Sequence, residues 1–183
     1  MAGRVWQTAF FVAVALIIQY YYLQGSVKAI ARVFKPYQFN CGAYEISAEF
    51  PSSAELHLTP DIGEDMLLNI YFTDNKLKYR GYIQLWLLDD VEQFLENSKA
   101  KSSYDFISFS RIKVELHNYT GYQEEWTADF DGTFISAKEY WLEIKKPGEA
   151  VRISFFSDTA EFPEQLNKIM NQVINSLRLA PKE

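Results

Sequence analysis

The sequence predicts an α+β fold, an antiparallel β-sheet covered by helices, preceded by one N-terminal transmembrane helix. Three observations predict it. Stretches with a period of two recur between Tyr44 and Phe156, a period near 3.6 governs Phe162 to Leu177, and no charge occurs from Val5 to Val27.

The N-terminal run reads VWQTAFFVAVALIIQYYYLQ. Val5 to Leu23 as a helix spans about 28 Å, close to the roughly 30 Å of a bilayer's hydrocarbon core. The anchor is assigned to Val5, Trp6, Phe10, Phe11, Leu16, Ile17, Ile18, Tyr20, Tyr21 and Tyr22. Trp6 and the three tyrosines bracket the run, as amphipathic rings do at the two membrane interfaces. Gln19 to Gln24 lacks the small residues of a signal-peptide cleavage site, and the run has no polar face to suit a buried core helix. Residues 1–36 are therefore read as anchor and basic juxtamembrane linker, with Pro36 as the boundary, and residues 37–183 as the domain. Gly25 to Lys35 fits either a basic amphipathic turn on lipid headgroups or a plain linker. Lys28, Arg32 and Lys35 follow the span, which by the positive-inside count keeps the domain in the cytoplasm. The position of the apolar run near the start has instead the form of an export signal-anchor.

Within the domain, Tyr44–Phe50 reads as a first strand ending at Pro51, and Leu67–Phe72 as a second followed by an Asp74-Asn75 turn. Tyr79–Leu87 is a third, and Ile112, Val114 and Leu116 mark a fourth. Tyr122–Phe130, Thr133–Ile144 and Ala150–Phe156 follow, separated by Asp131-Gly132 and Pro147-Gly148. Such short connections make these last strands antiparallel neighbours. Asp89 and Glu92 suggest a capping box before Val91, Phe94 and Leu95. Pro163 suits a first helical turn, after which Leu166, Ile169, Met170, Val173, Ile174 and Leu177 form one apolar stripe.

Charge narrows the partners. From Tyr37 onward fourteen basic residues face twenty-four acidic ones, a formal charge of −10. That sign repels phosphate backbones and excludes a nucleic-acid role. Cys41 is the only cysteine, so no intrachain disulfide forms. It lacks a nucleophile motif, as do Ser52 and Ser53. His57 and His117 are too few and too far apart to predict a metal site. Asp61, Glu64 and Asp65, and then Glu124, Glu125, Asp129 and Asp131, lack calcium-loop spacing and read as solvated surface. No cofactor is predicted. The strongest lead is aromatic: Trp86, Trp126 and Trp141, with Tyr82, Tyr122 and Tyr140, fall within strands. Projecting outward on one face they would make a ligand or partner surface; otherwise they pack under the helices.

These patterns resemble a family. Tyr44-Glu45-Ile46-Ser47-Ala48-Glu49-Phe50-Pro51 looks like the first strand of PsbP-like domains. The runs Gly121–Trp126, Ala137–Trp141 and Val151–Phe155 are similar to their central antiparallel sheet, and Ile174-Asn175-Ser176-Leu177-Arg178 to their terminal helix. The resemblance covers about Tyr44 to Leu179 and implies an α/β/α sandwich used for binding and assembly, often on the outer side of a membrane. It offers no catalytic residue to carry over. The expectation is thus a bacterial single-pass membrane protein whose domain lies outside the cytoplasm. It would act as a non-catalytic binding or assembly module, with the lipid bilayer and an envelope protein as partners. The alternatives are an anchored enzyme, such as a hydrolase, with dispersed site residues, or an accessory subunit of a membrane complex.

Overall fold

The computed structural model describes residues 12, 14–17, 19–20, 33–41, 44–59, 63–116, 119–144 and 148–181. Among these residues, two antiparallel sheets and two helices follow the N-terminal segment. Strand β1 (Phe34–Cys41) pairs with β2 (Tyr44–Pro51), and β10 (Arg178–Pro181) pairs with the other edge of β2. The larger sheet contains β3 (Glu55–Leu58), β4 (Met66–Asp74), β5 (Tyr79–Leu87), β6 (Asp105–Leu116), β7 (Tyr119–Phe130), β8 (Thr133–Glu143) and β9 (Glu149–Ser157). Its order is β3-β4-β5-β9-β8-β7-β6. Helix α1 (Val91–Lys101) joins β5 to β6, and α2 (Glu164–Ser176) precedes β10.

Alternation divides the large sheet into two faces. Leu68, Ile70 and Phe72 of β4, Ile83 and Leu85 of β5, Val151, Ile153 and Phe155 of β9 and Leu142 of β8 point to one of them. The α2 stripe packs there with Ile46, Ala48 and Phe50 of β2, all buried. Phe72 sits at the centre, its ring 4.9 Å from that of Phe50 and 4.8 Å from that of Phe155. Ser176 Oγ accepts the Glu49 amide at 2.9 Å and ties the end of α2 to β2. The other face is covered only in part, by Val91, Phe94 and Leu95 of α1.

Local chemistry sets the turns. Asp131 and Gly132 both have positive φ, 54° and 87°, and form the two-residue turn between Phe130 and Thr133. Asp129 Oδ1 accepts the Gly132 amide at 2.6 Å. Between β4 and β5, buried Asp74 accepts the amides of Lys76 and Leu77 at 2.9 Å each. Ser53 Oγ donates to the same carboxylate. Gly81 is required by close approach: an added Cβ would lie 1.9 Å from the Ser154 carbonyl oxygen and 2.5 Å from Phe72 Cζ. Gly81→Ala is therefore expected to cost about 1–3 kcal/mol, read as a lowered urea midpoint at unchanged slope. No loss would show that β5 and β9 yield there.

Several expectations are corrected. The helix cap is Asp90, not Asp89: Asp90 is extended, and its Oδ1 accepts the Gln93 amide at 2.8 Å. Helix α1 starts at Val91, so Glu92 is one residue short of the reciprocal position. Pro163 caps α2 from just outside it, and Leu177 lies beyond the last turn, though buried with the stripe. The strand marked by Ile112 begins at Asp105, and β1, β3 and β10 are additional. β1 runs through Pro36, which pairs with Glu49. At the N-terminus, Val12, Leu16, Ile17 and Tyr20 are helical, and each is more than half exposed. No helix among the described residues is long and apolar enough to cross a membrane. Val5, Trp6, Phe10, Phe11, Ile18, Tyr21 and Tyr22 of the expected anchor lie outside the described residues.

Candidate functional site

The half-covered face of the large sheet is neither purely apolar nor solvated. Strand register sets Gln84 opposite Arg152, Arg152 opposite Trp141, Ser154 opposite Glu139, Glu139 opposite Glu124 and Glu124 opposite Arg111. A belt of polar and charged side chains therefore crosses β5, β9, β8, β7 and β6. Helix α1 and the segment after it stand off this belt and leave a cleft of about 610 Å³. That lies within the range of small-molecule sites.

Aromatic side chains make the walls, nine of the nineteen lining residues. At one end Trp86, Phe94 and Trp141 cluster with ring centroids 5.3–6.0 Å apart. At the other, Trp126 contacts Tyr104, Phe106 and Phe156 at 5.7–5.9 Å. These spacings suit tilted and edge-on ring pairs.

One hydrogen-bond network forms the floor. Glu139 Oε1 accepts Trp126 Nε1 at 2.9 Å, and its Oε2 accepts Ser154 Oγ at 2.8 Å and Arg152 Nε at 2.7 Å. Arg152 also donates to Gln84 Oε1 at 3.1 Å, which accepts Trp86 Nε1 at the same distance. Gln84 Nε2 donates to Asn69 Oδ1 at 3.1 Å. The Arg152 guanidinium lies 5.0 Å from the Trp141 ring centre, a cation–π distance. Low surrounding polarity strengthens such a network and makes a lost partner costly.

A second charged group lies beside it. Arg111 Nε donates to buried Glu124 at 2.8 Å, while the same guanidinium holds Glu96 of α1 at 2.6 Å. Burial pushes the Glu124 carboxyl above its ordinary value of 4.5, against the Arg111 hydrogen bond, and the neighbouring Glu139 charge adds to the rise. With its folded value raised, this group favours the folded state at low pH, and that contribution is lost as pH rises from 4.5 through the folded value. Carbon-detected NMR titration is expected to give Glu124 a midpoint above 4.5. A midpoint at or below 4.5 would mean that Arg111 outweighs burial.

The structure gathers most of the predicted aromatic set. Trp86, Trp126, Trp141 and Tyr82 line the cleft. Trp126 and Trp141 are buried in its walls rather than standing out as a flat patch. Tyr122 shares the face but lies under α1, where its hydroxyl donates to Glu92 at 2.6 Å. Tyr140 points to the opposite face and into the main core, because it is one residue out of phase with Glu139 and Trp141.

The acidic hairpin is also corrected. Glu124 is buried, whereas adjacent Glu125 faces the other way and pairs with Lys138 at 2.8 Å. His57 is exposed on β3, Glu64 and Asp65 are exposed in a loop, and His117 and Asp61 lie outside the described residues. Among the described residues no three His, Cys, Asp or Glu come together as a metal site. Sequence reading missed Glu139, Arg152, Gln84 and Phe94. The available signal was Glu139 two residues from both Ala137 and Trp141, a charge between apolar residues on one face.

No protein-family profile matches the chain, and no curated protein matches it by sequence. Solved structures share the fold. A protein of Bacteroides thetaiotaomicron superposes with a TM-score of 0.54 at 14% identity, over 81% of this chain and 48% of its own. The chain thus spans about half of that protein's length. LpqN of Mycobacterium tuberculosis, involved in cell envelope biogenesis, superposes with a TM-score of 0.50 at 13% identity, over 81% of this chain and 92% of LpqN. At these identities the likeness is one of fold, a mostly antiparallel α+β architecture.

Proposed function

We propose that this chain is a membrane-tethered, extracytoplasmic binding module of the bacterial envelope, and that it holds a small ligand in the cleft under α1. The cleft carries the reading: a space of about 610 Å³ with aromatic walls and a polar floor held by one hydrogen-bond network. Sites of that kind orient a ligand without needing reactive groups. The exposed apolar side chains of Val12, Leu16 and Ile17 support the tether, since such residues seek lipid or a partner. The envelope role of LpqN supports the location. The PsbP-like assignment fits an antiparallel sheet with a helix on each face, and we retain it as part of the proposal. An accessory role in a membrane complex is compatible with the same module.

The test uses the full chain labelled with fluorotryptophan in lipid nanodiscs, followed by fluorine NMR. Three of the four tryptophans line the cleft, and Trp6 lies in the apolar run. The neutral amphiphile decanol is expected to shift Trp86, Trp126 and Trp141 saturably, and Ser98→Phe to abolish this by filling the cleft. A nitroxide lipid is expected to broaden Trp6 alone. Decanol shifts confined to Trp6 would refute the binding site, and an unbroadened Trp6 would refute the tether.

A second reading, an anchored hydrolase, has one observation in its favour. Glu124 and Glu139 are cross-strand partners, and Glu124 retains its proton more readily than a free carboxyl. Pairs of acids in unlike environments divide acid and base roles. Both Glu139 oxygens are already engaged, which favours binding. Turnover of an ester or glycoside that disappears in Glu124→Gln would establish the enzyme.

A further inference from the structure

The two signs of charge in the cleft are not equally available. Glu139 is 3% exposed, and both its oxygens accept hydrogen bonds from the protein. The Arg152 side chain that neutralises it is 23% exposed. Its three contacts with Glu139 and Gln84 use fewer N–H groups than a guanidinium carries. Its contacts with Glu139 and Gln84 and the Trp141 ring 5.0 Å away hold the guanidinium in place. Lys99 of α1 also lines the cleft. Its ammonium lies 3.8 Å from the Phe109 ring centre and makes no ion pair with a described residue. The remaining lining acid, Glu124, is held by Arg111. Both acids are therefore spent within the protein, while both cations keep donors for a ligand.

We propose that the cleft selects ligands bearing an oxyanion, a carboxylate or phosphate group seated on Arg152 with Lys99 at the mouth, and an apolar body against the aromatic walls. This rests on the reading of the cleft as a binding site. A cationic ligand would meet the two cations and find neither carboxylate free. A neutral one would leave the Arg152 donors without the charge-assisted bonds they are placed to make.

The fluorotryptophan chain in zwitterionic nanodiscs is titrated with decanoate, decyl phosphate, decanol and inorganic phosphate. The two anionic amphiphiles are expected to shift the cleft tryptophans at least about tenfold more tightly than decanol, the scale of one charged hydrogen bond. Inorganic phosphate alone, lacking the apolar body, is expected to bind far more weakly. Lys99→Glu, at an exposed helical position, is expected to cut the anion preference several-fold. The double variant Glu139→Gln/Arg152→Gln removes both charges together and is expected to cut the preference several-fold as well, with Lys99 still in place. Competition by phosphatidate in the disc would identify a membrane source for the oxyanion, and its lack of effect a soluble one; either supports the proposal. Equal affinity for decanoate, decyl phosphate and decanol, with cleft shifts intact, would overturn the anion preference and leave the binding site standing. No cleft shift with any probe would overturn both.

Discussion

Arg152→Gln alone is expected to cost about 3 kcal/mol of stability, close to what is lost when one partner of a buried ion pair is removed. Glu139 is the reason. It is 3% exposed, and it relies on Arg152 for its only counter-charge among the contacts that engage it. The effect sits near the lower end of the usual range because the Arg152 side chain is 23% exposed and water can partly replace it. Glu139→Gln/Arg152→Gln is expected to be less damaging than Arg152→Gln, since no orphaned charge remains. A double-mutant cycle in urea measures both terms. If the double variant were as unstable as the sum of the two single ones, the floor would be a set of independent hydrogen bonds rather than a coupled network.

Phe155→Ala is expected to cost about 3–5 kcal/mol. Its side chain is fully buried on the face opposite the cleft, with ring centres 4.8 Å from Phe72, 5.5 Å from Tyr79 and 6.4 Å from Phe50. Those neighbours come from β4, β5 and β2, so truncation opens a cavity where both sheets meet. A domain of this size has only about 5–15 kcal/mol in hand, and its melting temperature is expected to fall by roughly 10 °C. A shift of only a degree or two would mean that β2 collapses onto the gap.

The same contrast between local and distant causes explains what the sequence revealed. The apolar runs within β4, β5, β8 and β9 stand out, Asp131-Gly132 has the residues its backbone requires, and the α2 stripe is continuous. Each of these is decided by a few neighbouring residues. β1, β3 and β10 are edge strands made by their partners. β3 and β10 have four residues each, and β1 and β10 contain proline. The first half of β6, which brings Phe106 and Phe109 to the cleft, was hidden by a register shift between Phe106 and Ser108 that breaks the period of two.

The cleft was half visible for the same reason. Tryptophans stand out in any sequence, and three of them converge. The floor does not stand out: Glu139 and Arg152 read as ordinary strand charges, and only the β8–β9 register makes them partners. Tyr140 shows the cost of reading composition without phase, because a shift of one residue sends it through the sheet.

The most direct test is to ask what occupies the cleft in a living cell. A photo-reactive benzoylphenylalanine placed at Tyr104, an exposed aromatic lining the cleft after α1, is activated in cells expressing the full chain, and the intact protein is weighed. The account predicts a discrete small-molecule adduct that is lost when Trp126 and Trp141 are replaced by alanine in a variant that still folds. Adducts only to other proteins, or a small adduct unchanged by those replacements, would contradict a ligand held in this cleft.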